Sequence, residues 1–209
     1  EKEAKEAKKN GVEYIELQVA LDGIAVVVNK ENTWAQELTE EDLKKIWENG
    51  SKIMNWKEIN PSWPSEVIKL YGPDQDSGTF DYFVEEILGK DGQIRIDYSP
   101  SSDDNQLVQG VEGDKGSLGF FGYAYYIEQK DKLNAVAVNG VRPTDETVKT
   151  GKYKPLSRPL YIYVNKKSLK EKPEVRAFVE YYLKNASKAV KLTGYVPLSD
   201  YTKQLELIK

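Results

Sequence analysis

The sequence predicts an α/β fold with mostly parallel sheets, and two observations support this prediction. β-rich segments alternate along the chain with segments of helical periodicity, which is the pattern of strands connected by crossover helices. One β-rich segment, Ile24 to Val28, is continuously apolar, as expected of a strand buried on both faces. The chain has 209 residues, enough to bury a substantial core in one large domain or two small ones.

The first part of the chain contains four predicted elements. A helix at the start is stopped by Asn10-Gly11, because asparagine and glycine commonly end helices. Two β-rich segments follow, and Asp22-Gly23 separates them. The segment LTEEDLKKIWENG then predicts a helix whose first turn carries a capping box formed by Thr39 and Asp42.

The middle of the chain contains a strand followed by two helices. The short strand VIKLYG leads into a helix with apolar positions at helical spacing after Thr79, and Gly89 closes this helix. A second, shorter helix is capped from Asp103 or Asp104. In α/β folds, ligands gather where strands end and helices begin, so these junctions are the first places to search for a site.

The last third of the chain contains two predicted strands and two predicted helices. The strands lie in AVAVNG and PLSRPLYIYVN. Pro173 fits the first turn of a long helix, because proline lacks the N–H that this position leaves unused. Ser199 is the expected cap of the final helix.

Composition excludes several kinds of chemistry. The chain contains no cysteine and no histidine, so disulfides, thiol catalysis, the usual zinc sites and histidine general bases are excluded. The formal net charge is -4 with both signs interspersed, and no broad basic face points to nucleic acid as a partner.

The stretch DSGTFDYF is the most specific feature of the sequence. The amino end of a helix leaves N–H groups unpaired and carries about half a positive elementary charge. The amides of Gly78, Thr79 and Phe80, with the hydroxyls of Ser77 and Thr79, can therefore bind a tetrahedral oxyanion. The alternative is that Asp76 or Ser77 only caps the helix.

Asp76 bears on the choice of anion. A carboxylate beside an anion site is repulsive unless the ligand carries a proton that the carboxylate can accept. Hydrogenphosphate carries such a proton and sulfate does not. An unpaired buried acceptor costs about 1–3 kcal/mol, so a carboxylate at this position favours phosphate. Asp76 as a helix cap or ion-pair partner is the alternative.

Three segments carry a resemblance to a known family. YGPDQDSGTFDYFVEEI, SSDDNQLVQGVEGDKGSLGFFGYAYY and PLSRPLYIYVN, in this order, resemble the phosphate-binding proteins of bacterial high-affinity phosphate ABC transporters. The resemblance implies a two-lobed periplasmic binding protein fold of type II, with the ligand in a cleft and no cofactor or metal. One lobe would be 24–119, and the other would combine 1–23 with 120–209.

The resemblance also implies a function. A protein of this family captures inorganic phosphate and delivers it to the permease subunits of an ABC transporter, without catalysis and without nucleic acid. We expect a monomer at the periplasmic or extracellular face of the membrane. Ser77, Gly78 and Thr79 match the family residues that contact phosphate, and Asp76 stands beside them.

The chain departs from the family pattern near the motif. Many members have an arginine a few residues before Ser-Gly-Thr, where this chain has Pro73. We expect Arg95 to replace that arginine as a phosphate ligand; the alternative is a surface pair with Asp97. Asn105 is expected to donate a further hydrogen bond to the ligand, and local capping is its alternative role.

A second departure concerns the start of the chain. The sequence resembles a family member without its first segment, which includes a strand and loop with ligand-binding groups and the signal or lipoprotein leader. We therefore expect the 209-residue chain by itself to bind phosphate weakly. Two other functions stay open: a binder of another oxyanion such as sulfate, and a phosphatase-like enzyme with Ser77 or Thr79 as nucleophile. The second lacks a histidine base.

Overall fold

The computed structural model describes residues 2–209, which fall into two compact units. Unit 1 combines the chain up to Leu21 with Pro159–Lys209, and unit 2 is Asp22–Arg158. The chain therefore passes twice between the units.

Helices and strands alternate along the chain. The first elements are α1 (Lys2–Lys9), β1 (Tyr14–Asn29), β2 (Glu37–Leu38), α2 (Glu40–Trp47), α3 (Trp56–Ile59), β3 (Lys69–Pro73) and α4 (Gly78–Phe83), which continues as a π-helical turn (Val84–Leu88). Then follow β4 (Ser99–Ser101), α5 (Asp104–Glu112), β5 (Ser117–Gly122), α6 (Tyr123–Gln129), β6 (Leu133–Ala135), β7 (Ala137–Val138) and α7 (Asp145–Lys149). The last elements are β8 (Ser157–Asn165), α8 (Lys166–Glu171), α9 (Pro173–Leu192) and α10 (Thr202–Glu206).

The main sheet has the strand order β4-β3-β5-β1-β6, and β8 also pairs with β1. β3 is parallel to both β4 and β5, while β1 is antiparallel to β5 and β6. β2 and β7 form a separate parallel pair. The α/β prediction is confirmed, and the sheet is mixed rather than mostly parallel.

β1 is one continuous strand, so the predicted break at Asp22-Gly23 is wrong. Asp22 pairs with Arg158 instead of forming a turn. Gly23 permits close packing: a Cβ at this position would lie 3.1 Å from the Tyr123 Cβ and 3.2 Å from a Val148 methyl group. The dipeptide serves tertiary contacts, which its local turn chemistry does not reveal.

The core of unit 2 forms around the strand that the sequence predicts to be buried on both faces. The side chains from Ile24 to Val28 are fully buried, as predicted. The Phe83 ring stacks on the Phe120 ring with centroids 3.8 Å apart, and Trp47 contacts Phe120 edge-on at 5.0 Å. These contacts fix α2 and α4 against the sheet.

Unit 1 has its own core, formed by the first half of β1 and by α9. The cluster contains Leu17, Val19, Val164, Leu169, Val179, Leu183, Ala186, Tyr201 and Ile208. Pro173 occupies the first turn of α9, as predicted. The predicted Ser199 cap is wrong, because α10 begins at Thr202, whose N–H donates to Asp200 Oδ1 at 2.6 Å.

The two units differ from the predicted lobes. The predicted boundary between 119 and 120 lies inside β5, which pairs with β1 and β3 in the main sheet. Residues 120–158 therefore pack with residues 22–119 in unit 2.

Local helix signals agree with the structure. Thr39 and Asp42 form the predicted capping box at the start of α2, and Asp103 caps α5. Gly11 and Gly89 adopt positive φ after the ends of their helices, which glycine does without steric cost.

Candidate anion-binding site

Three helices of unit 2 begin at one edge of the main sheet. β3 runs parallel to β4 and β5, so the carboxyl ends of these strands lie at the same edge. α4, α5 and α6 each start within a few residues of that edge. In α/β folds this is where helix amino ends and loop side chains converge on ligands. We call it the carboxyl edge.

The predicted Ser-Gly-Thr motif forms the first turn of α4 at the carboxyl edge. Ser77 is the N-cap, and its Oγ accepts a hydrogen bond of 3.2 Å from the Thr79 N–H. The Ser77 hydroxyl proton stays available to a ligand, since a hydroxyl can donate and accept at once. Capping thus occupies the Thr79 N–H and leaves the Ser77 hydroxyl proton for a ligand.

The space above the motif is open. Gly78 is exposed, and no atom lies within 4 Å of the position that a Cβ would take. Ser77 and Thr79 are half-buried, while Asp76 is exposed and its N–H donates to Asp74 Oδ1 at 3.2 Å. An anion can therefore approach the first-turn amides without displacing protein atoms.

Arg95 does not lie at the carboxyl edge, because it precedes β4 rather than following it. The side chain is buried and all five of its N–H donors have acceptors. Nε and Nη2 donate to the Asp97 carboxylate at 2.6 and 2.8 Å, and Nη1 donates to the carbonyls of Ile46 and Ile53 at 2.9 Å. Nη2 also contacts Met54 Sδ at 3.1 Å. These contacts argue against the predicted role as a phosphate ligand.

The hydrogen bonds from Arg95 also change the pKa of Asp97. Hydrogen bonding from Arg95 holds the pKa of the Asp97 carboxyl below its ordinary value. The alternative expectation, a pair between Arg95 and Asp97, is what the structure shows, with the arginine buried rather than at the surface.

Asn105 lies at the start of α5, near the carboxyl edge. Its main-chain N–H donates to the capping Asp103 carboxylate at 2.9 Å, and its Nδ2 donates to the same oxygen at 3.1 Å. The Tyr125 hydroxyl donates to Asn105 Oδ1. Local capping therefore orients the Asn105 side chain, and its second amide proton faces an exposed surface.

Sequence reasoning missed a charged cluster at the same edge. Arg158 Nη2 lies 3.3 Å from Asp22 Oδ2, and the guanidinium lies 3.8 Å from the centroid of the Tyr82 ring in α4. The Tyr82 hydroxyl donates to the Pro155 carbonyl at 2.7 Å, which fixes the ring. Asp22 and Arg158 are 136 residues apart, so no local pattern signals their contact.

Burial dominates the electrostatics of this cluster. It raises the pKa of the Asp22 carboxyl above its ordinary value, and Arg158 offsets only part of that rise. Burial also raises the pKa of the Tyr82 hydroxyl, which therefore stays protonated at neutral pH.

Within residues 2–209, no group of three or more histidine, cysteine, aspartate and glutamate side chains could hold a metal ion. No helix in the described part of the chain is long and apolar enough to cross a membrane. An open depression of about 620 Å³ in unit 1 is lined by α1 and by Tyr14 and Lys166, and it contains none of the predicted site residues.

The fold and the site together define a class. An α/β chain with two units, and with a Ser-Gly-Thr helix start at the carboxyl edge of one sheet, has the architecture of solute-binding proteins. The PBP superfamily domain matches residues 1–186, and the chain belongs to this family.

Named relatives agree with this assignment. Protein SphX of Synechocystis sp. is 46% identical over 204 residues, which cover 95% of this chain and 61% of SphX. Phosphate-binding protein PstS of Staphylococcus saprophyticus is 40% identical, with 98% of this chain and 64% of that protein covered. The chain thus spans less than two thirds of the length of these relatives.

Two solved structures give the same result. A possible phosphate binding protein from Planctomyces limnophilus is 44% identical and superposes with a TM-score of 0.91, over 100% of this chain and 76% of that one. PstS from Borrelia burgdorferi is 26% identical with a TM-score of 0.73, over 93% of this chain and 76% of that one. The two-lobed binding-protein fold is confirmed by these structures.

Proposed function

We propose that this chain is part of a solute-binding protein that captures inorganic phosphate and delivers it to the permease subunits of an ABC transporter. The observation that carries the proposal is the Ser77-Gly78-Thr79 turn. It forms the start of α4 at the carboxyl edge, and no protein atom lies within 4 Å of the position that a Cβ on Gly78 would take. The names of the Staphylococcus PstS and Planctomyces relatives support phosphate as the ligand.

The motif supplies the chemistry that phosphate binding requires. First-turn amides and two hydroxyls offer donors to phosphate oxygens, and the helix end contributes a partial positive charge. Asp76 stands next to these donors and can accept the proton of hydrogenphosphate. Sulfate has no such proton at neutral pH, so this exposed carboxylate favours phosphate when the bound ligand covers it from water. The printed names of the Staphylococcus and Planctomyces relatives specify phosphate, and sulfate is the less favoured ligand.

Binding without catalysis fits the site better than hydrolysis. The chain has no histidine to act as a general base, and Ser77 Oγ already accepts the Thr79 N–H within the helix cap. We place the protein at the periplasmic or extracellular face of the membrane, as a monomer that does not bind nucleic acid. The net charge of -4 agrees with the last point.

Equilibrium titration of phosphate into the chain tests the proposal. We expect Thr79→Ala to weaken binding by about 1–2 kcal/mol, the scale of one hydrogen bond to a charged group. Thr144→Ala is the matched control, because Thr144 caps α7 rather than α4 and its loss should affect stability only.

Two further measurements separate the alternatives. Equal competition by sulfate would indicate a general oxyanion binder, and turnover of a chromogenic phosphate ester would indicate an enzyme. Equal affinity of the Thr79→Ala variant and the unmodified chain would reduce the motif to a helix cap.

A further inference from the structure

We propose that Arg158 is the cationic ligand of the phosphate site, held ready by Asp22 and Tyr82. This inference rests on the proposed function and assigns to it a residue that the motif does not contain. Its starting point is charge. Asp74, Asp76 and Asp81 surround the motif, so a phosphate bound there needs a positive side chain to offset three carboxylates.

The chain offers few arginines for this role. It contains four: Arg95, Arg142, Arg158 and Arg176. Arg95 has acceptors for all of its donors, and the Nη1 of Arg176 donates to the Ile208 carbonyl within unit 1. Arg142 Nη1 donates to the carbonyl of Ala135, which pairs with Val27 away from the carboxyl edge. Of the four arginines, Arg158 is the one that the sheet topology places near the Ser77-Gly78-Thr79 turn.

The register of the sheet places Asp22 and Arg158 at the carboxyl edge. β1 is antiparallel to β5, and Ile24 pairs with Gly122, the last residue of β5. Asp22 precedes Ile24 and therefore lies at the edge where β3, β4 and β5 end. The Ile24 N–H donates to the Leu156 carbonyl at 2.9 Å, which brings the start of β8 to the same edge.

The contact with Tyr82 brings the guanidinium close to the motif. Tyr82 follows Thr79 by three residues, so both lie on one face of α4. Helical side chains lean toward the amino end and cover the preceding turn, which here is the turn of Ser77 to Thr79. The Arg158 guanidinium stacks on this ring at 3.8 Å and thus lies beside the first turn of α4.

The guanidinium also keeps unused donor capacity. Its contact with Asp22 is a single one of 3.3 Å, and its Nε is buried without a hydrogen-bond partner in the described structure, so the exposed part of the guanidinium is what a ligand can reach. The side chain is 39% exposed, whereas that of Asp22 is 9% exposed. A planar guanidinium binds phosphate oxygens through two parallel N–H bonds, so Arg158 can contact a ligand while it stays stacked on Tyr82.

Asp22 affects how strongly Arg158 can bind phosphate. The carboxylate holds Arg158 in place but competes with phosphate for the same positive charge. Burial is the largest cause of the raised pKa of the Glu86 carboxyl, and Arg158 acts in the opposite direction, so Glu86 is a second acidic group near this guanidinium. Removal of the Asp22 charge should therefore increase phosphate affinity.

The experiment compares phosphate affinity across four variants of the 209-residue chain. Phosphate is titrated into the millimolar range against sodium chloride of matched ionic strength, with circular dichroism to confirm folding. We expect Arg158→Gln to weaken binding by about tenfold to hundredfold. Arg158→Lys should also weaken it, because an ammonium lacks the bidentate geometry. Asp22→Asn should strengthen it by about twofold to fivefold. Arg142→Gln is the matched control and should bind like the unmodified chain.

The outcomes separate this inference from the proposed function. Phosphate binding by the unmodified chain, with unchanged affinity in the folded Arg158→Lys and Asp22→Asn variants, would overturn the role of Arg158 and leave the proposed function standing. Lack of phosphate binding by the folded, unmodified chain would overturn both. As an independent readout, phosphate should slow the modification of Arg158 by phenylglyoxal and leave that of Arg142 unchanged; equal modification rates of Arg158 with and without phosphate would also overturn its role.

Discussion

Two arginines of unit 2 sit in opposite environments. Arg95 is 3% exposed and uses every donor, with contacts to Asp97 as short as 2.6 Å. Arg158 is partly exposed, makes one longer contact to Asp22 and rests on an aromatic ring. A guanidinium with all donors occupied stabilises the fold, whereas one with spare donors at a strand edge can exchange partners. The difference separates a structural arginine from one suited to ligand binding.

The largest expected effect is the loss of stability when the hydrogen bonds of Arg95 are removed. Arg95→Gln removes the partner of Asp97 and leaves the Ile46 and Ile53 carbonyls without their donor. We expect a loss of about 3 kcal/mol of unfolding free energy, at the lower end for buried pairs because Asp97 is 54% exposed. Urea denaturation measures it. Lys45→Gln, which removes an exposed charge paired with Glu41 at 3.6 Å, is the control and should cost no more than about 0.5 kcal/mol. Equal losses for the two variants would show that Arg95 is not a structural residue.

A smaller loss is expected for Arg158→Gln. Its contact with Asp22 is single and its stacking on Tyr82 is partly exposed, so we expect about 1–2 kcal/mol. Asp22 keeps the hydrogen bond from the Gly23 N–H, which limits the cost of losing its partner. Urea denaturation of this variant beside Arg95→Gln checks the ranking, and a reversed order would contradict the comparison.

The smallest effect is a difference in pH dependence between the two acidic partners. The pKa of Asp97 is lowered by Arg95, so its contribution to stability is present above its ordinary value of 3.8 and is lost as pH falls through the lowered pKa. The pKa of Asp22 is raised by burial, so the folded state loses stability as pH rises from 3.8 through the raised pKa.

The matching variants should show opposite trends. Relative to the unmodified chain, Asp97→Asn should be destabilised above pH 3.8, and the difference should shrink as pH falls below it. Asp22→Asn should gain relative stability as pH rises above 3.8. Thermal unfolding across this pH range is the measurement, and parallel curves for the two variants would rule out opposite pKa shifts.

The sequence was sufficient for features that neighbouring residues decide. Thr39, Asp103 and Pro173 mark helix starts because caps and first turns depend on residues within a few positions. Ser77-Gly78-Thr79 was identified as a helix-start motif for the same reason. Its role as the phosphate ligand, with that of Asp76 and Asn105, stays a prediction.

Features that depend on distant partners could not be predicted. Asp22-Gly23 has the local chemistry of a turn, but Arg158 and Tyr123 hold it within a strand. Arg95 was proposed as a ligand from its type and position. The two backbone carbonyls that accept its hydrogen bonds lie more than forty residues earlier in the chain, so no local pattern indicates them. The predicted lobes, 24–119 and 1–23 with 120–209, stay a prediction, and strand pairing, which decides which segments share a sheet, has no local signal in the sequence.

The continuity of β1 affects how easily proteases and solvent reach the backbone where the chain passes from unit 1 to unit 2. The chain leaves unit 1 and enters unit 2 inside a strand, without an intervening loop. The Leu21 N–H is bonded to the Val196 carbonyl at 2.8 Å and the Ile24 N–H to the Leu156 carbonyl at 2.9 Å. A protease needs an extended, unpaired segment, and amide hydrogen exchange needs a broken hydrogen bond. This passage should therefore resist cleavage and exchange as well as the strands of either core do.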